Sequence, residues 1–249
     1  MHRVFTDEKN INAEDKFLTV AGEDAYHLIK VMRIKKGEKV TVCDKNNTDY
    51  TCEAAHINKD SIIFNIIDSC VCEEEKNYKI TLCQAMPKGA KIETVLQKAV
   101  ELGADNIVIF YSERCDVKYN KSKEDAKLER YNKIIYEAAK QCNRGIIPTV
   151  EIKKSFDDMI KSVNAQGKII MAYEEEKTVS LKQVLLKTEG SICFIVGPEG
   201  GFELSEVQLA KDAGAEIVSL GKRILRTETA GMFMLSCCAY EKELSKAGV

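Results

Sequence analysis

Apolar positions along the chain follow two rhythms, and the change comes near residue 78. Over the first 70 residues the signal is β-rich. Arg3–Phe5 reads as a strand, and Glu38–Cys43, Tyr50–His56 and Ser61–Ile67 alternate or run apolar, with Gly37, the Asn46-Asn47 pair and Asn58 between them as turn residues. One short helix interrupts this pattern: Asp24 stands where an N-cap would, and Leu28, Val31 and Met32 share a face. The pattern predicts a small barrel over residues 1–72. Residues 73–77 belong to an acidic stretch without apolar period and read as a linker.

From Tyr78 onward, over residues 78–249, strands alternate with helices. Lys79–Ala85, Asn106–Phe110, Thr149–Ile152, Lys168–Ala172, Ser191–Val196 and Ala215–Leu220 have strand character. Helical periods cover residues 91–102, 122–142, 156–163, 181–186 and 204–213, and a last helix starts near Ala230. This alternation predicts an α/β domain with a mostly parallel sheet, whose ligand lies beyond the carboxyl ends of the strands.

Composition narrows the function classes. Apolar residues are 45% and charged residues 31%, which fits a globular chain and excludes a disordered or coiled-coil one. The longest apolar runs, such as Ile192–Val196, are too short to span a bilayer, and no apolar leader follows the first residues, so a cytoplasmic location without membrane contact is expected. The net charge is −2, so any site for a polyanion must be a local patch. Ten cysteines show no C-x-x-C spacing and most sit in apolar contexts, where a thiol acts as a small hydrophobe. No histidine lies beyond His56, which removes a Ser-His-Asp hydrolase or a His-ligated metal from the second domain. No metal is expected.

Several loops carry candidate chemistry. Residues 194–202 (FIVGPEGGF) take a buried strand into a turn with three glycines and a proline, suited to close ligand approach, without the spacing of a dinucleotide fingerprint or a P-loop. Residues 220–230 (LGKRILRTETA) set three cations around the apolar pair Ile224-Leu225, with Thr227 or Thr229 as a cap for the last helix and Glu228 near its positive end. A strand also ends in a polar loop at residues 169–176 (IIMAYEEE); in a parallel sheet all three loops open on one edge. Arg144, with Gln141 and Asn143, lies at the end of the long helix, where a cation is favourable without any further role. In the first domain Lys30, Arg33, Lys35 and Lys36 form a cationic cluster that could contact phosphate, although such a run by itself is more often a solvated face.

The order of five segments resembles the SPOUT-class methyltransferases that modify N3 of a uridine in small-subunit (16S) ribosomal RNA. The segments are HLIKVMRIKKGE at 27–38, KGAKIETVLQKAVELGADNI at 88–107, ERYNKIIYEAAKQCNRGIIP at 129–148, VGPEGGF at 196–202 and LGKRILRTETA at 220–230. The resemblance covers nearly the whole chain, and the last two segments are highly specific as a pair. It implies an N-terminal PUA-like barrel that holds RNA, a C-terminal α/β domain with a deep trefoil knot, a homodimer built around that knot, and S-adenosylmethionine as cofactor.

Carried over by position, the cofactor loops are Met171, Ala172, Tyr173 and Glu174; then Val196, Gly197, Pro198, Glu199, Gly200 and Gly201; then Leu220, Gly221, Ile224, Leu225 and Arg226, with Thr229 beyond. The RNA-facing set is Arg3, His27, Lys30, Arg33 and Lys35, with Lys88 and Arg114 from the second domain. Cys142, Ile146 and Tyr131 depart from the family's usual serine, second arginine and tryptophan; the Ile146 change bears on one phosphate contact. The implied reaction is methyl transfer to N3 of an unpaired or flipped uridine. Arg226 is the first choice to stabilise charge on the deprotonated base, Arg144 the second, and Glu228 or Glu199 the nearest carboxylate. Two other readings remain: a non-catalytic RNA-binding protein with a degenerate second domain, and an enzyme acting on a phosphorylated small molecule at residues 197–201.

Overall fold

The computed structural model describes residues 3–72 and 75–244. Part of the expected linker (73–74) and the C-terminal end (245–249) therefore lie outside the described residues. The chain divides into two compact units. The first runs up to Lys76 and takes back Ala139–Ile147; the second comprises Asn77–Ala138 and the chain from Pro148.

The first unit contains β1 (Arg3–Phe5), β2 (Ile11–Asn12), β3 (Phe17–Ala21), α1 (Gly22–Tyr26), β4 (Lys39–Cys43), β5 (Thr48–Ile57) and β6 (Ser61–Val71). The strands form one sheet in the order β1-β4-β5-β6-β3-β2, antiparallel except for the β1–β4 pair. Register shifts at Thr51/Cys52 and Ala54/His56 add twist, which lets the long β5–β6 pair coil round the core. Alternate residues such as Val40, Val42, Ile62 and Phe64 point into that core, with Ala25 and Leu28 from the helical segment.

Asp24 does not cap α1. It lies in the first turn, buried, and accepts hydrogen bonds from the Phe5 main-chain N–H (3.2 Å) and from Lys140 Nζ (2.7 Å). Segment 139–147 is held to this unit by a second ionic contact. Arg144 donates through Nε (2.7 Å) and Nη2 (3.0 Å) to the Glu75 carboxylate, both side chains being 5% exposed. Glu75 Oε1 also accepts from the N–H groups of Gly145 (3.0 Å) and Ile146 (3.1 Å). Only glycine fits at 145, because a Cβ there would stand 2.7 Å from Asn47 Oδ1 and 2.7 Å from the Cys72 Cβ.

The second unit contains β7 (Ile80–Ala85), α2 (Lys91–Glu101), β8 (Asn106–Phe110), α3 (Glu124–Gln141, its last turn entering the first unit), β9 (Thr149–Lys153), α4 (Phe156–Val163), β10 (Lys168–Ala172), α5 (Leu181–Leu185), β11 (Ile192–Val196), α6 (Leu204–Asp212), β12 (Glu216–Val218) and α7 (Thr227–Ala239). The sheet is parallel throughout, in the order β12-β10-β11-β7-β8-β9. β7 and β11 are buried at every residue, as central strands covered on both faces must be. Helix starts follow local chemistry: Ser155 caps α4 by accepting from Asp158 N–H (3.1 Å), and Ser180 with Gln183 forms a capping box on α5.

After β9 the chain returns across the sheet. β10 is laid down two places from β7, β11 fills the gap between them, and β12 becomes the edge. The carboxyl ends of β12, β10 and β11 are therefore neighbours, and the loops that leave them share one edge of the sheet.

Candidate functional site

Those three loops enclose a cleft of about 510 Å³ in the second unit. The loop after β10 contributes Ala172, Tyr173, Glu174 and Lys177; the loop after β11 contributes Gly197, Pro198, Glu199, Gly200, Gly201 and Phe202, next to Val196. The segment between β12 and α7 supplies Ser219 through Arg226, and α7 adds Thr227 and Ala230. Lys91, the first residue of α2, completes the wall.

The glycine turn is tight for steric reasons. Gly201 takes φ +71°, and a Cβ there would run into the Glu174 carboxylate. A Cβ on Gly197 would stand 2.8 Å from the Phe202 ring. Two further contacts fix this turn. Arg114 donates through Nε to Glu203 Oε1 (2.7 Å) and through Nη1 to the Gly200 carbonyl (3.2 Å). Thr227 donates its hydroxyl to the Gly197 carbonyl and accepts from the buried Gln84 amide at 2.8 Å. Thr227 is thus the first helical residue of α7 and a tie between two loops, while Arg226 holds the N-cap position. Neither Thr227 nor Thr229 caps the helix.

Charges of both signs meet here. Lys91 Nζ lies 2.7 Å from Glu199 Oε1 and 3.6 Å from Glu228 Oε2. Burial pushes the Glu199 carboxyl up, but hydrogen bonds from Lys91 and from main-chain N–H groups outweigh it and hold it below the usual range. Those same contacts raise the Lys91 ammonium, the Glu199 hydrogen bond foremost. Glu228 Oε2 is enclosed yet accepts no hydrogen bond. Arg226, Lys222 and Arg223 are exposed along the opposite strip of the cleft, beside the apolar Leu225 and an Ile224 that is 90% exposed.

Most of the expected loop residues come together here, and several do not. Met171 is fully buried inside β10, because its side chain points into the packed face of the sheet. Thr229 is exposed on α7 away from the cleft lining. Arg144 belongs to the first unit, where its guanidinium is enclosed against Glu75. Arg3 is likewise enclosed, with Nη1 on Asp49 (2.6 Å) and Nη2 on the Arg144 carbonyl (3.1 Å), so it offers no charge to solvent. Lys88 is exposed and paired with Asp116 at 2.6 Å, and Arg114 serves the glycine turn. His27, Lys30, Arg33 and Lys35 are all exposed on the segment after α1, beside an exposed Tyr26. Sequence reasoning missed Lys91, Lys177 and Thr227 as lining residues. Lys91 carried one signal, since it opens the helix that follows β7, the strand beside β11.

Seven of the ten cysteines are buried. Burial pushes the Cys43 and Cys52 thiols up to about 12, which removes them as nucleophiles near neutral pH.

Comparison with known proteins gives one consistent picture. The sequence profile of an RNA methyltransferase domain matches residues 74–239, and that of an RNA methyltransferase PUA domain matches residues 20–67. The chain is 33% identical to ribosomal RNA small subunit methyltransferase E of Bacillus subtilis over 232 residues, 91% of each chain. It is 32% identical to the Mesomycoplasma hyopneumoniae protein of the same name, over 96% of this chain and 99% of the other. Among solved structures, the Neisseria gonorrhoeae ribosomal RNA small subunit methyltransferase E bound to S-adenosylmethionine superposes with a TM-score of 0.83 at 29% identity, covering 97% of this chain and 98% of the other.

Proposed function

The chain belongs to the ribosomal RNA small subunit methyltransferase E family, and on that premise we propose that it transfers a methyl group from S-adenosylmethionine to N3 of a uridine in small-subunit (16S) ribosomal RNA. The observation that carries this reading is the cleft itself: a glycine turn, an apolar strip and an arginine-bearing helix start on neighbouring loops of a parallel sheet.

The residues present fit the cofactor. The glycine turn lets a ligand reach the main chain, and Leu220, Ile224 and Leu225 offer an apolar slot for a purine. Glu174 and the Lys177 ammonium stand ready for a zwitterionic tail. When bound, the cofactor supplies an electrophilic methyl on a sulfonium.

The remaining work belongs to the protein. N3–H of uridine must lose its proton, and the negative charge that results spreads over the two flanking carbonyl oxygens. Arg226 sits at the N-cap of α7, where its guanidinium and the free N–H groups of the helix start both favour that charge. Glu228, two residues on, has an enclosed carboxylate oxygen whose near neighbour is the Lys91 ammonium at 3.6 Å, and we assign this carboxylate the proton.

The first domain, residues 1–72 with segment 139–147 returning to it, holds the RNA through His27, Lys30, Arg33 and Lys35, and residues 73–77 lead into the catalytic domain, which takes up the rest of 78–249. The same reading includes a trefoil knot and a homodimer through the knotted domain. The strand order, with β11 set between β10 and β7, supports the first, and exposed Leu204, Phe233 and Tyr240 on and after α6 and α7 support the second. A cytoplasmic site of action goes with a ribosomal substrate; no helix among the described residues is long and apolar enough to cross a membrane.

Labelled S-adenosylmethionine and small ribosomal subunits lacking the modification test the proposal. Digestion of the product should yield N3-methyluridine alone. A different methylated nucleoside would discard the target base, and absence of both transfer and cofactor binding would favour the non-catalytic reading.

A further inference from the structure

Lys91 is shared by two carboxylates that come from different elements. Glu199 belongs to the glycine turn after β11, and Glu228 to the first turn of α7; Lys91 Nζ lies 2.7 Å from Glu199 Oε1 and 3.6 Å from Glu228 Oε2. All three side chains are partly enclosed, with Lys91 34%, Glu199 26% and Glu228 19% exposed. Glu199 Oε1 also accepts from the Lys88 main-chain N–H at 3.2 Å. The Lys88 ammonium itself is turned to Asp116. The Cys115 thiol also feels the Glu199 charge; burial, the larger cause, pushes it up and keeps it neutral.

We infer that Lys91 is a positioning residue: its ammonium holds the glycine turn and the Arg226–Glu228 turn in register by joining Glu199 to Glu228 across the cleft wall. One cation stands between two anions, so the cluster keeps one surplus negative charge. Without the ammonium, both carboxylates face the vacated place with no counter-ion. Two carboxylates that each lie within 3.6 Å of the vacated position cannot both stay ionised without cost, so either the loops part or one carboxyl takes up a proton. This inference rests on the methyltransferase reading for its functional meaning, but its electrostatic content does not.

The test compares wild type with Lys91→Arg, Lys91→Met and the double variant Lys91→Met/Glu199→Gln. Isothermal titration of the wild type with S-adenosylmethionine tests the cofactor reading by itself. If Lys91 acts as inferred, Lys91→Met weakens binding near neutral pH by on the order of tenfold, Lys91→Arg keeps most of the affinity, and the double variant recovers part of the loss because one carboxylate charge is gone. The deficit of Lys91→Met also shrinks towards about pH 5, where one of the pair accepts a proton.

The second readout needs no ligand. The thermal midpoint of Lys91→Met should fall further below wild type near neutral pH than at about pH 5, and Glu199→Gln in that background should raise it again. A double variant no better than Lys91→Met in both readouts, with a deficit equal at both pH values, overturns the inference and leaves Lys91 a packing residue. If the wild type binds no S-adenosylmethionine, the cofactor reading fails, and the unfolding series still decides the role of Lys91.

Discussion

Two arginines that share a motif character in the sequence part company in the structure. Arg226 is exposed at the N-cap of α7 beside the cleft, whereas Arg144 is enclosed against Glu75. Their variants should therefore fail differently. Arg226→Ala removes a charge that acts on the reacting base, so single-turnover transfer should drop on the order of 100-fold while the urea midpoint stays put. Arg144→Ala removes the two charge-assisted hydrogen bonds that the guanidinium makes to the buried Glu75 carboxylate and should cost about 3–5 kcal/mol of stability, read by urea denaturation. Transfer that collapses in folded Arg144→Ala under saturating substrate would return this residue to the reaction. The distinction was not legible in the sequence. Arg144 and Glu75 stand 69 positions apart, and nothing local announces that an acidic stretch between domains holds the partner of a residue at a helix end.

At the scale of elements, the loops that build the cleft are ordered by their own side chains. Glu176 closes the loop between β10 and α5 by accepting from Thr178 Oγ1 (2.6 Å), Thr178 N–H (2.6 Å) and Val179 N–H (3.0 Å). These bonds, the Thr178 hydroxyl first, hold its carboxyl down to about 2. A carboxylate with a depressed folded value stabilises its loop fully above the unfolded value, 4.5, and loses that effect as pH falls through about 2. Amides 178 and 179 should therefore keep slow hydrogen exchange down to pH values well below 4.5, and Glu176→Gln should speed their exchange at neutral pH. Equal exchange in the variant would show that the loop is held by something else.

The alternation of strands and helices was readable throughout the second unit because central parallel strands are apolar at every position and helices carry capping residues such as Ser155 and Ser180. The β2–β3 pair was not. Ile11–Asn12 is too short to show a period, and charged residues precede Phe17–Ala21. Strand order was also out of reach, since no local signal says that β11 enters between β10 and β7.

At the scale of the whole molecule, the first unit is not continuous in sequence, and this has a measurable consequence. A fragment ending at residue 76 keeps every strand of the barrel sheet but lacks segment 139–147. It loses Lys140 from Asp24 and Arg144 from Glu75, both buried or nearly so, along with the Gly145 carbonyl that accepts from Asn47 N–H at 3.1 Å. Breaking a buried ion pair costs about 3–5 kcal/mol, and two such losses approach the whole 5–15 kcal/mol by which a domain of ordinary stability stays folded. The 1–76 fragment should therefore be largely unfolded by circular dichroism. The same fragment extended through a short glycine-serine linker into residues 139–147 should regain a cooperative urea transition, because the segment restores both cations and the acceptor at once. Identical transitions for the two fragments would mean that the sheet core alone, Leu18 to Phe64, sustains the barrel, and that the ionic clamp serves only to place segment 139–147.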